Sequence, residues 1–296
     1  MNGTARLNVR MVEAANRINE TQMLHPRKWK RHGEIFIKSI NKGQAPRILA
    51  VGPRVVGGLK KCYLNNPRYD GVPGTVFEVT TMNDGTFDNV GAGSVFYAVK
   101  HLGIRIVDVW GNGNKTQAKT IENLKKVISE PLELREVSIF GNKATNVREA
   151  DAVVVSCSDS RVQVHDIYEG VIVVSNAGNI LSLSAIEVMV EAIEKGIPAF
   201  MILGHTKCGA VGAAVSKNKE PELAEIMGIV EDNITHTPTL QPEVLNAFVS
   251  ASILKGQHTP PYAGAELKRL QEMIRSEGAC VMSTFFDLAT GEVWEI

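Results

Sequence analysis

Charge imbalance and cysteine are both scarce in this 296-residue chain. Lysine plus arginine and aspartate plus glutamate number 32 each. No overall field exists to draw in nucleic acid or an anionic membrane, so the expected partner is a small neutral or weakly charged molecule. No stretch approaches the roughly 20 apolar residues of a membrane span. The first 40 residues carry scattered charge, as in Arg27-Lys28-Trp29-Lys30-Arg31, and lack the apolar run of about 7–15 residues that a secretory signal needs. The expectation is a cytoplasmic protein. Four cysteines, Cys62, Cys157, Cys208 and Cys280, are too few for a disulfide scaffold. In a reducing compartment, a cysteine grouped with histidine reads as metal-binding or catalytic.

What is present is a chain 44% hydrophobic and 22% charged, enough for one large core or two smaller ones. Short β-branched runs alternate with helical stretches, the pattern of a parallel sheet covered by helices. The runs that read as strands are Arg47 to Val51, Val76 to Thr81, Arg105 to Trp110, Ala152 to Ser156, Val171 to Ser175, Ala199 to Leu203 and Cys280 to Phe286. Their order suggests one three-strand unit written twice. Ser94 to Gly111 lies over Glu187 to Gly204 without a gap, and Asn83-Asp84-Gly85 falls on Asn176-Ala177-Gly178 in the same register. The organisation expected is residues 1–40 as helical N-terminal arms, 41–125 as the first copy, 126–145 as a connector and 146–296 as the second copy. Residues 216–264, polar and rich in proline, carry no clear signal.

Chemistry concentrates in the second copy. Cys157-Ser-Asp159-Ser-Arg161 directly follows one apolar strand, and His205-Thr-Lys-Cys208-Gly209 directly follows another. Ligands bind at the carboxyl ends of strands in an open parallel sheet, so two thiols and one imidazole converge on one edge. Zinc takes such sulfur and nitrogen donors, and three protein ligands leave a fourth position for water or substrate. Asp159 is close enough in sequence to act on that position, with Arg161 holding its charge and direction. Taken alone, a cysteine is more often a small buried hydrophobe, and a lone His-x-x-Cys is a weak signal. Both parts following strands, with an Asp and an Arg between them, favour a metal centre. Cys62 and Cys280 lack such partners and read as structural, and His165 reads as a core or surface histidine.

These residues closely resemble the β-carbonic anhydrases, whose pattern is Cys-x-Asp-x-Arg, an Asn-Ala-Gly-Asn-like turn, and Gly-His-x-x-Cys-Gly. Here it reads Cys157-x-Asp159-x-Arg161, Asn176-Ala177-Gly178-Asn179 and Gly204-His205-x-x-Cys208-Gly209. The resemblance covers about 150 residues of the second copy strongly and about 80 of the first more loosely. It implies an α/β fold in which two units, each a mostly parallel sheet under helices, pack as an intramolecular pseudo-dimer. It also implies one Zn2+ per chain on Cys157, His205 and Cys208, and catalysis by Asp159 and Arg161. Family members complete each site with a glutamine, a phenylalanine and a tyrosine from the neighbouring subunit. Gln44, Phe77 and Tyr97 of the first copy match that contribution, beside Gly209 in the pocket.

The first copy has Asn112 where the repeat puts His205 and Lys115 where it puts Cys208, and Gly52-Pro53-Arg54 has neither Cys nor Asp. The second copy has Arg148, Val173 and Val190 where the first has Gln44, Phe77 and Tyr97. Each copy keeps the half of the site that the other lacks. The activity implied is reversible hydration of carbon dioxide to bicarbonate, at one site per chain. The alternatives are hydrolysis of carbon disulfide or carbonyl sulfide on the same zinc, and a non-catalytic zinc sensor or assembly subunit. The resemblance also allows a homodimer of pseudo-dimers, paired through the last strand.

Overall fold

The computed structural model describes residues 46–56, 58–64, 76–111, 113–138, 150–168, 170–197, 199–217, 219–235 and 241–296. The expected arms over 1–40 lie outside the described residues, as do Gln44, Asn112 and Arg148.

Four strands, β1 (Ile48–Gly52), β3 (Val76–Thr80), β4 (Ile106–Gly111) and β5 (Glu133–Ser138), form a sheet in the order β3-β1-β4-β5. Every pairing in it is parallel. A second sheet holds β2 (Val55–Val56), β6 (Ala152–Cys157), β7 (Val171–Asn176), β8 (Ala199–His205), β9 (Cys280–Phe286) and β10 (Val293–Glu295). Its order is β10-β9-β8-β6-β7-β2, with β6 to β9 parallel and the outer β2 and β10 antiparallel. The run β7-β6-β8-β9 therefore has the same strand order and sense as β3-β1-β4-β5. The central strands β6, β7 and β8 are buried along their whole length. Burial on both faces requires the unbroken apolar runs that made them readable.

Among the described residues the helices are α1 (Leu59–Leu64), α2 (Asn89–Lys100), α3 (Asn114–Val127), α4 (Val164–Ile167), α5 (Leu183–Glu194), α6 (Gly209–Val215), α7 (Ala224–Thr235), α8 (Pro242–Leu254) and α9 (Ala265–Glu277). The 3-10 turn Pro221–Leu223 leads into α7. Helices α2 and α5, one from each half, start beside each other. Asp88 caps α2 by accepting from the Gly91 N–H at 2.6 Å, and its other oxygen accepts from the Ser184 N–H of α5 at 2.8 Å. One carboxylate thus serves the positive ends of two helix dipoles. Ser182 caps α5 itself.

Seven strands match the sequence reading to within a residue or two at their ends, and β2, β5 and β10 were not read. The stretch 126–145 is corrected in part. It is not wholly a connector, because Glu133–Ser138 runs parallel to β4 and extends the first sheet past residue 125. Its polar, partly exposed residues disguise an edge strand. Residues 216–264 supply the 3-10 turn, α7 and α8. Among the described residues, no helix is long and apolar enough to cross a membrane.

Candidate metal centre and pocket

Cys157 ends β6 and His205 ends the adjacent parallel strand β8, with Ser156 opposite Leu203. Both side chains therefore emerge at the same carboxyl edge. Beyond His205 the chain turns through Lys207, whose φ of 57° is left-handed, and this turn brings Cys208 back to the N-terminus of α6. The turn is held to β9, since the Thr206 N–H donates to the Phe286 carbonyl at 3.0 Å.

The two sulfurs are 3.9 Å apart. The ligand atoms of Cys157, His205 and Cys208 all lie within 4.8 Å of one another, and all three residues are buried. His205 Nδ1 lies 2.9 Å from the Thr206 carbonyl oxygen, to which it can only donate, so Nε2 is left as the free acceptor. That Nε2 is buried with no hydrogen-bond partner. A buried imidazole nitrogen without a partner, facing two thiols, fits a tetrahedral cation such as zinc. The hydrogen bond from Cys208 lowers the pKa of Cys157 and raises that of Cys208 itself, whose burial pushes the same way.

Asp159 stands beside this group, yet both its oxygens are engaged by Arg161. Oδ1 accepts from the Arg161 backbone N–H and from Nε, each at 2.9 Å, and Oδ2 accepts from Nη2 at 2.6 Å. Arg161 Nη2 also donates to the Lys207 carbonyl at 2.9 Å. The pair is therefore tied to the turn between His205 and Cys208. Burial pushes the Asp159 carboxyl up, but the hydrogen bonds and charge of Arg161, with His205, outweigh it and hold the pKa at about 2.

A cavity of about 220 Å³ opens onto these groups. Cys157, Asp159, Arg161 and Gly209 line it from the C-terminal half, and Phe77 and Tyr97 from the N-terminal half. The two aromatic rings are tilted against each other with centroids 6.4 Å apart. Burial raises the Tyr97 pKa, and the Asp159 charge adds to it. Of the site residues expected from the sequence, Cys157, Asp159, Arg161, His205, Cys208, Gly209, Phe77 and Tyr97 gather here, and Gln44 lies outside the described residues. Lys115 sits exposed on the first turn of α3, and among the described residues Cys157, His205 and Cys208 form the one group arranged for a metal.

Leu223, Ile226 and Met227 make an apolar wall that sequence reasoning missed. The available signal was Pro221 at a helix start followed by apolar residues at spacings of three and four. Lys60, buried against the loop bearing Asp159, carried no signal at all.

Fold and site together define an α/β protein with a buried two-cysteine, one-histidine cluster at a sheet edge. Residues 152–293, which hold all three candidate ligands, match the family model of carbonic anhydrase. A carbonic anhydrase of Mycolicibacterium smegmatis (strain ATCC 700084 / mc(2)155) is 30% identical over 126 residues, which are 40% of this chain and 59% of that protein. The chain thus spans less than two thirds of that curated relative. Similar solved structures include the β-carbonic anhydrase CafA of Aspergillus fumigatus, at 21% identity over 50% of this chain and 76% of the other, with a TM-score of 0.38. Another is a tetrameric β-carbonic anhydrase of Sordaria macrospora, at 21% identity over 50% and 81%, with a TM-score of 0.40.

Proposed function

We propose that this chain is a zinc-dependent carbonic anhydrase that interconverts carbon dioxide and bicarbonate at one active site, formed where its two halves meet. The observation that carries the reading is one pocket lined by Cys157, a member of the Cys157, His205 and Cys208 cluster, and by the Asp159–Arg161 pair, with Phe77 and Tyr97 from the other half. Cys157, His205 and Cys208 would hold the metal. Zinc, when bound, supplies a Lewis acid able to bring the pKa of water to about 7.

The chain's own groups do the rest. Asp159, kept ionised by Arg161, is a directed hydrogen-bond acceptor for the attacking water. Its two-pronged hold by Arg161 supports a directed acceptor rather than a fourth ligand, and so a catalytic centre over a closed sensor site. Phe77, Tyr97 and the apolar wall suit a small nonpolar substrate. Gln44, matched by resemblance alone, would donate its amide to the substrate oxygen that gains charge.

We read the N-terminal half as a degenerate copy that cannot bind metal, making the chain a pseudo-dimer. The shared strand order supports this, as do reciprocal contacts between the halves. Ser94 of α2 accepts from the Ala177 N–H at 2.9 Å, and Glu187 of α5 accepts from the Asn83 N–H at 3.0 Å. Glu187 is the counterpart of Ser94, and Asn83 lies one residue from Asp84, the counterpart of Ala177, so the pairing is close to that of a two-fold interface. A reducing cytoplasm would keep the ligand thiols free, and pairing of two pseudo-dimers through the last strand is the assembly this reading favours.

The test is metal content by mass spectrometry with stopped-flow assays of carbon dioxide, carbonyl sulfide and carbon disulfide at pH 7 and pH 9. We expect one zinc per chain and carbon dioxide hydration well above buffer. Bound zinc with no hydration at either pH would sink the proposal, and turnover of the sulfur substrates alone would reassign it.

A further inference from the structure

Lys60 belongs to the half without metal ligands, yet it reaches into the loop that carries the catalytic pair. Its side chain is buried, and Nζ donates to the Asp159 carbonyl at 2.8 Å and the Val162 carbonyl at 2.9 Å. These two carbonyls bracket the turn closed by the Val162 N–H on the Asp159 carbonyl at 3.0 Å. The Glu78 N–H donates to the Ser158 carbonyl at 3.3 Å. Three carbonyls of the segment 158–162 are thus held by donors from the N-terminal half.

The lysine is itself fixed. The Glu78 carboxylate, 2% exposed, accepts from the Leu59 N–H at 2.8 Å and the Lys60 N–H at 3.1 Å, anchoring the start of α1 to β3. A side chain on Gly58 would sit 3.1 Å from that carboxylate, and its φ of +80° also favours glycine. A buried ammonium requires opposing charge and acceptors. Burial lowers the Lys60 pKa, while the charges of Glu78 and Asp159 act against it.

We propose that Lys60 is a positioning residue for the Asp159–Arg161 pair, its ammonium clamping both ends of the turn that aims the carboxylate into the pocket. The kinetic consequence rests on the carbonic anhydrase reading, whereas the structural one does not. The N-terminal half then contributes more than a pocket wall. It sets the direction of a catalytic carboxylate across the interface, where small misplacements cost large factors in rate.

The experiment compares full-length wild type with Lys60→Met and with Lys60→Met/Glu78→Gln, which removes both buried charges and so protects folding. Amide hydrogen exchange at Arg161 and Val162 is expected to speed up about tenfold or more relative to core amides of β6 and β8, with metal content unchanged and kcat falling about tenfold or more. A purely structural role would move all amides together, and that result, or unaltered exchange at 161 and 162, overturns the proposal. In wild type the Lys60 ammonium protons should exchange slowly by 15N spectroscopy, and rapid exchange likewise overturns it. A wild type inactive on carbon dioxide would remove the proposed activity while leaving both exchange readouts to decide the role of Lys60.

Discussion

The hydroxyl of Tyr97 lies 2.9 Å from the point that a Cβ on Gly209 would occupy. A side chain from the N-terminal half and a glycine from the C-terminal half close the pocket against each other. Gly209→Ala therefore overpacks this contact and is expected to cost about 1–3 kcal/mol. Because the crowded atom is the hydroxyl, adding Tyr97→Phe should recover most of the loss. A double-mutant cycle on thermal unfolding checks this, and additive losses would deny the contact.

Asp159 gives an acid-limb prediction. Its folded pKa of about 2 lies below the ordinary 3.8, so its contribution to stability is fully present above pH 3.8 and is lost as the pH falls through 2. That contribution is on the order of 2 kcal/mol. In Arg161→Leu, burial acts with less opposition and the pKa should rise above 3.8. The sign then inverts, and this group favours the folded state more as the pH falls. Unfolding free energies at pH 6 and pH 3.5, on chelator-treated protein of both kinds, should fall less with acid in the variant.

Two glycines on neighbouring helices should respond with opposite signs. A Cβ on Gly93 of α2 would meet the Glu222 carbonyl oxygen and the Ile226 side chain, each at 2.9 Å, so Gly93→Ala must push back the apolar pocket wall. A loss of about 1–3 kcal/mol is expected. Gly228, within α7, has nothing within 4 Å of its would-be Cβ, and Gly228→Ala should stabilise by about 0.5–1 kcal/mol. Denaturant midpoints decide both.

Asn246 of α8 ties residues 216–264 to the turn after β7. It donates to the Gly178 carbonyl at 2.8 Å and accepts from Asn233 at 2.9 Å, all within the core. Asn246→Ala leaves the Gly178 carbonyl without this donor and should cost about 1–3 kcal/mol. Chemical denaturation measures the loss, and an unchanged midpoint would mean that water replaces the amide.

What could be read in advance follows from burial. Val153, Val154 and Val155 had to form a continuous apolar run because both faces of β6 are covered, and Cys157 and His205 stood out by following such runs directly. The edge strand with Glu133, Arg135 and Glu136 lacks that pressure and looked like a linker. Lys60 was illegible for a different reason. Beside Lys61 it resembles any solvated helix face, and only the tertiary fold sets Glu78 and the carbonyls of Asp159 and Val162 around it. Ile226 and Met227 show the intermediate case, a helical spacing present but attached to no known role.

The two-residue strand Val55–Val56 pairs antiparallel with Ile172 and Val173 on the far side of β7 from β6. Cutting the chain between the sheets would strip that cover and leave amides and carbonyls of a hydrophobic strand facing solvent, a ready template for self-association. The C-terminal half is thus unsuited to life as a separate module. Loss of its companion would first be felt as stickiness in expression and storage, before any question of turnover arose.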